Sequence, residues 1–187
     1  ETNRLPDFYT VAHQQRLLRF EYNAAVKQTT IRFYVFLKED ISKIIGTVCL
    51  HDICKPYYSS AEIGYKFSSE YHHNGYATEA LQGIIMYLFQ NGIKEVVAGA
   101  FEYNLSSIRV MKKCGMEQID KQEEIDYRGK KHHCVYYSIK KSNWKTLSVW
   151  YKIFFCQRMG ENYEWHYPRN AGRISGLDVI EYGNARV

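Results

Sequence analysis

Long apolar runs are missing from this chain. No stretch approaches the ~20 residues that a membrane-spanning helix needs, and the opening residues do not read as a signal peptide, so a cytoplasmic protein with no membrane partner is expected. Cysteine pairing is missing too. The five cysteines, Cys49, Cys54, Cys114, Cys134 and Cys156, are odd in number and contain no CxxC, which suits reduced thiols better than a disulfide framework. Nor is there a concentrated block of one charge: 25 basic against 20 acidic residues leave a formal +5. That balance tolerates an anionic cofactor but gives no reason to expect nucleic acid. Both familiar nucleotide loops, GxxxxGK[ST] and GxGxxG, are absent. His72-His73 and His132-His133-Cys134 are metal-like in composition only, because adjacent strand residues point to opposite faces, and no metal is expected.

What is present is organised around Ala61 to Asn91. From Ala61 to Phe67 the side chains alternate, Ile63, Tyr65 and Phe67 on one face and Glu62, Gly64 and Lys66 on the other, which is the period of a strand. Ala77, Ala80, Leu81, Ile84, Ile85 and Leu88 then recur at helical spacing, and Asn91-Gly92 supplies a left-handed stop. The junction is a loop at a helix start, where main-chain N–H groups lack partners and carry partial positive charge. Gly75 and Ala77 are small enough to admit an anion, Thr78 adds a hydroxyl, and His72, His73 and Asn74 add donors on the approach. The loop reads as a pyrophosphate cradle.

The run His72-His73-Asn74-Gly75-Tyr76-Ala77 resembles the [QR]-x-x-G-x-[GA] acetyl-CoA signature of the GNAT acetyltransferases. Ala61 to Ala80 is similar to the RimJ/RimL branch, whose members read roughly AEIGY…GxGYATEA. A second block, Asn104-Leu-Ser-Ser-Ile-Arg-Val-Met-Lys-Lys-Cys-Gly-Met116, is similar to that branch's NxxSxxVxxKxGF. With the strands around them, these blocks cover Thr10 to Trp144. The resemblance implies an α+β fold, a mixed and mostly antiparallel twisted sheet flanked by helices. It also implies another strand and helix ahead of Thr10, so the chain reads as shortened at its N-terminus.

The remaining elements follow from pattern. Thr10 to Lys27 is an imperfect helix. Ile31 to Leu37 and Lys43 to Leu50 form a hairpin that continues, past Pro56, into Ala61–Phe67. Glu95 to Phe101 is a small strand; a helix capped by Asn104 and ended by Gly115 comes next, then strands over Glu117–Ile125 and His133–Ile139 around Arg128-Gly129-Lys130. Residues 1–144 read as one domain and 145–187 as an extension outside the family pattern, with an apolar stretch at Leu147–Phe155, aromatics at Tyr163, Trp165 and Tyr167, and a strand-like Ile174–Tyr182. It can be a packed extension, an interface element compatible with a homodimer, or a replacement for the absent front of the sheet.

The resemblance also implies a chemistry: an acetyl-CoA-dependent N-acetyltransferase acting by direct attack in a ternary complex, with a protein N-terminal α-amine, a ribosomal protein's among them, or a small amine as acceptor. An amine attacks only when neutral, so a proton acceptor is required, and the carboxylate of AEIGY, Glu62, is its candidate. Met111 stands where many GNAT enzymes carry a tyrosine, four residues before Gly115, which leaves the Ser107 hydroxyl as candidate donor to the departing thiolate. Main-chain N–H near Phe67, where the family's strand splays, is expected to polarise the carbonyl, and Asn104 to touch pantetheine as well as cap its helix. The cysteines are bystanders in this scheme. Two departures stand out: His73 replaces the first glycine of GxG, and His72 occupies the Gln/Arg position, which predicts tighter cofactor binding as the imidazole protonates. A second class fits the same residues, an acyl-CoA-binding or protein-interaction module on this fold without catalysis.

Overall fold

The computed structural model describes residues 10–27, 29–51, 59–144, 153–159 and 162–166. Thr10 caps the first helix, α1 (Val11–Val26), by accepting from the N–H of His13 at 3.3 Å. Strands β1 (Thr30–Leu37) and β2 (Ile44–His51) flank a polar turn in which Asp40 accepts from both the N–H and the hydroxyl of Ser42. β3 (Ser60–Phe67), α2 (Tyr76–Gln90), β4 (Glu95–Phe101) and α3 (Leu105–Lys113) follow, then β5 (Glu117–Tyr127), β6 (Lys130–Lys140), β7 (Ile153–Met159) and β8 (Asn162–His166). The β5–β6 hairpin is longer than its pattern suggested, closing on Arg128 and Gly129 alone, both left-handed.

Among the described residues the strands form one sheet in the order β5-β6-β4-β3-β2-β1-β7-β8. Every neighbouring pair is antiparallel except β3 with β4, the pair that α2 connects. The sheet runs on past Trp144: β7 pairs with β1 from Tyr34↔Cys156 to Leu37↔Ile153, and β8 adds to β7. The strand expected over Ile174–Tyr182 and the loop around Pro56 lie outside the described residues.

α2 carries the core of one face. Ala80, Leu81, Ile84, Ile85 and Leu88 are at most 2 % exposed and cluster with Phe33, Val35, Val48, Leu50 and Ile63 of the strands. Gln82, Gly83, Met86 and Phe89 are buried as well, so α2 is enclosed more widely than the stripe read from its spacing. α3 shares this face, and its end is tied to the start of α2 by the Cys114 thiol, which reaches the Thr78 carbonyl at 3.6 Å. Alternation along β1 sends Arg32 and Tyr34 to the other face, where α1 lies. There Glu21 accepts from the Tyr34 hydroxyl at 2.5 Å and pairs with Arg32 at 2.7 Å.

Candidate active site

The parallel pairing of β3 with β4 lasts only from Ser60↔Glu95 to Glu62↔Val97. β3 stays paired with β2 as far as Phe67, and β4 with β6 as far as Phe101, so beyond Glu62 and Val97 the two strands part. The splay starts at Glu62, earlier along β3 than the Phe67 position where it was expected. Each strand leaves one main-chain edge facing a wedge-shaped gap, and such N–H and C=O groups need partners.

At the end of β3 the chain makes a single 3-10 turn over Ser69–Tyr71 and enters α2 through two left-handed residues, His73 (φ 63) and Gly75 (φ 84). The N–H groups of Tyr71 and His72 are bonded to the carbonyls of Ser68 and Ser69. Among the described residues, no acceptor in the chain meets the main-chain N–H of His73, Asn74, Gly75, Tyr76, Ala77 or Thr78. Gly75 is the N-cap, and a Cβ built on it meets nothing within 4 Å. The helix start therefore presents open amides with unobstructed space above them, the geometry that suits an anion.

The side chains of this loop behave differently from the sequence expectation. His72 turns its Nε2 to the Phe67 carbonyl at 3.2 Å, and Asn74 donates to the His72 carbonyl at 3.0 Å, so both brace the loop in this conformation. The outward donors are main-chain amides. His73 is exposed, its ring edge-on to His72 at 6.3 Å, and Tyr76 packs beside Tyr71 at 6.4 Å. Ala77 and Thr78 are half-buried in the first turn of α2.

Asn104 caps α3, its Oδ1 accepting from the Ser107 N–H at 3.2 Å. That places Ser107 in the first turn, where its hydroxyl lies 2.8 Å from the Tyr65 hydroxyl of β3; the same phenol also donates to the Ser107 carbonyl at 3.0 Å. Burial pushes the Tyr65 phenol up to about 12, against a smaller lowering by its bond to Ser107. Met111, on the same helix, is fully buried. α3 carries Met111 rather than a phenol at this position, and the phenol beside Ser107 is that of Tyr65 on β3.

Glu62 faces the other side of the sheet, that of α1. Its carboxylate lies 3.8 Å from Lys121 Nζ, which also pairs with Glu123 at 3.3 Å and sits 3.9 Å from the centre of the Tyr136 ring. Tyr136 donates to Glu123 at 2.7 Å. That bond and the Lys121 partner hold the Glu123 carboxyl below its usual value, while burial and the same bond raise the Tyr136 phenol. Tyr65, Lys121, Glu123 and Tyr136 were all missed as site residues. Tyr65 was visible within AEIGY but counted only with the apolar face; the others stand in strands whose register no local pattern reveals. Of the cysteines, Cys49, Cys114 and Cys134 are free thiols, and burial lifts that of Cys114 to about 12. No group of three or more His, Cys, Asp or Glu among the described residues is arranged to hold a metal ion.

Comparison with known proteins now bears on this arrangement. The model of the acetyltransferase (GNAT) domain family matches residues 1–117, more than half of the chain. The chain belongs to the GNAT family. A probable N-acetyltransferase of Bacillus subtilis, YjcK, is 30 % identical over 116 residues, which are 62 % of this chain and 64 % of that protein, so the match stops short of two thirds of its length. Among solved structures, a ribosomal-protein-S5-alanine acetyltransferase from Vibrio fischeri superposes with a TM-score of 0.65 at 23 % identity, covering 78 % of this chain and 80 % of that one. RimJ of Mycobacterium smegmatis, in complex with CoA-disulfide, gives 0.68 at 17 % identity, with 76 % and 68 % covered. At those identities the likeness establishes the fold alone. For this GNAT chain it agrees with the mixed, mostly antiparallel sheet seen directly.

Proposed function

We infer that this GNAT chain is an acetyl-CoA-dependent N-acetyltransferase of the RimJ/RimL-like kind, moving an acetyl group to a primary amine by direct attack in a ternary complex. One observation carries the reading: the gap between β3 and β4 joins the two faces of the sheet, with open amides and Ser107 on the α2 face and Glu62 on the α1 face. The residues present fit the cofactor. Main-chain N–H groups of His73 to Thr78 hold the diphosphate, and the unpaired edges of β3 and β4 bond the amides of the pantetheine arm. When bound, the thioester supplies the activated acetyl group. N–H groups on the free edge of β3, from Ile63 to Phe67, stabilise negative charge developing on its carbonyl oxygen.

Glu62 takes the proton that an acceptor ammonium must lose before it can attack. Ser107 turns its hydroxyl hydrogen from the Tyr65 oxygen towards the departing sulfur, and Tyr65, which donates to the Ser107 carbonyl, keeps the serine in place. The acceptor reaches Glu62 from the α1 face, and since two proteins of this fold are named for a ribosomal-protein alanine and for spermidine, peptide N-terminal amines and polyamines are the classes to try first. Thiol release from acetyl-CoA, followed with a panel of peptide N-terminal amines, lysine and polyamines, tests the assignment. Turnover with at least one amine is expected, and Glu62→Gln should lower kcat by about 10²–10⁴-fold, the usual contribution of a general base. Binding of acetyl-CoA without turnover of any amine supports instead a non-catalytic acyl-CoA-binding module.

A further inference from the structure

Lys121 stands where an acceptor amine is needed. Its ammonium is held by Glu62 at 3.8 Å, by Glu123 at 3.3 Å and by the face of Tyr136 at 3.9 Å, two carboxylates and an aromatic ring, which together recognise a primary ammonium. Each wall of this site is set by a different strand. Glu62 is the last β3 residue paired with β4 before the gap opens. Tyr136 of β6 lies against Gly99 of β4, where a Cβ would come within 2.8 Å of the ring, so only glycine lets the phenol lie over the strand. Glu123 is fastened by the Tyr136 hydroxyl. Lys121 itself falls in the irregularity of β5 between Ile119 and Gln122, outside the paired ladder, so the walls are braced and the amine is not.

Folding stability does not account for the arrangement. The side chains of Lys121, Glu62 and Glu123 are 41 %, 42 % and 48 % exposed, and ion pairs that open to water contribute little. Their contact matters because Glu62 is the proton acceptor in the reaction proposed above, and a tethered amine beside it has a large effective concentration.

We propose that Lys121 is a self-acetylation site, an internal primary amine that the chain modifies with acetyl-CoA. The inference rests on the transferase reading. Glu62 removes a proton from the Lys121 ammonium; the lone pair freed on Nζ forms the N–C bond to the thioester carbonyl carbon, and the C–S bond breaks with its electrons on sulfur. Of the two protons the nitrogen loses, one ends on the coenzyme A sulfur and the other in solvent by way of Glu62. The amide product is uncharged, so both ion pairs disappear and Glu62 is left open to external amines.

The test uses the full chain, deuterated acetyl-CoA and peptide mass spectrometry. Label should concentrate on Lys121, well above the exposed Lys66, Lys130 and Lys131, at a rate per chain that does not change on dilution. Glu62→Gln should lower it about a hundredfold, as loss of a general base does. Lys121→Arg should abolish the label without moving it to another lysine. Even labelling across exposed lysines, or equal labelling of Lys121 in the Glu62→Gln chain, overturns the proposal. Turnover of an external amine with Lys121 unlabelled overturns it while leaving the transferase standing, whereas neither turnover nor label overturns both.

Discussion

The two faces of the sheet are covered by helices that hold on by opposite means. α2 is buried along its length against the strands, and α3 is tied to it through Cys114 and Thr78. Between α1 and β1 the Glu21 carboxylate is shared by Tyr34 and Arg32, while Val11 and Phe20 of α1 are 73 % and 70 % exposed. A face packed like α2's has little freedom, which suits a helix whose start, in the reaction proposed above, would hold a diphosphate in register with a gap several residues away. A helix that leaves apolar side chains such as Val11 and Phe20 in water is less tightly held, which suits the side from which the proposed acceptor would come and go. The gap between β3 and β4 lies between the two.

The contrast is sharpest in the core. Leu81→Ala should cost about 2–5 kcal/mol, the range for emptying a fully buried leucine site, read as the shift of a urea unfolding midpoint; a cost no larger than that of a surface substitution would break the comparison. Gly75→Ala, at φ 84, should lose about 1–2 kcal/mol from the left-handed conformation alone. The new Cβ also enters the open space over the amides, so calorimetry should show weaker acetyl-CoA binding. If binding is unchanged, the cradle is not where the anion lies.

Tyr65→Phe tests the contact that joins β3 to α3 on the α2 face. The phenol meets both the carbonyl and the hydroxyl of Ser107, and its removal should cost about 0.5–1.5 kcal/mol for each hydrogen bond lost. The phenol's folded value of about 12 lies above its ordinary 10.0, so its contribution to stability is fully present below pH 10 and is lost as pH rises from there towards 12. Stability of the Tyr65→Phe chain should therefore fall less steeply over that window, measured by urea titration at each pH; parallel curves would mean that the phenol is not buried as described. Smallest of all, Phe20→Ser on α1 should stay within about 0.5 kcal/mol of the parent. A larger loss in thermal unfolding would show that α1 is held by apolar burial after all.

Much of this was legible from local pattern. Alternation over Ala61–Phe67 and helical spacing from Ala77 to Leu88 marked β3 and α2, and Asn104 and Gly115 bounded α3 as caps do. The cradle was legible as a place but not as a set of donors. His72 and Asn74 looked like outward groups, yet their side chains are spent on carbonyls two to five residues away, a choice made by loop geometry rather than residue type.

The residues of this chain, taken in order, determined the elements from α1 to β6 and the helix start with small residues, because those features depend on neighbours within a few positions. Only the tertiary structure decided that β3 and β4 part beyond Glu62, that Tyr65 meets Ser107, and that Glu62, Glu123 and Tyr136 gather around the Lys121 ammonium. Apart from Lys121 with Glu123, both on β5, those contacts join residues on different strands or helices. Their meeting depends on which strands lie side by side and where a bulge shifts the register, and periodicity along a single segment carries no record of either.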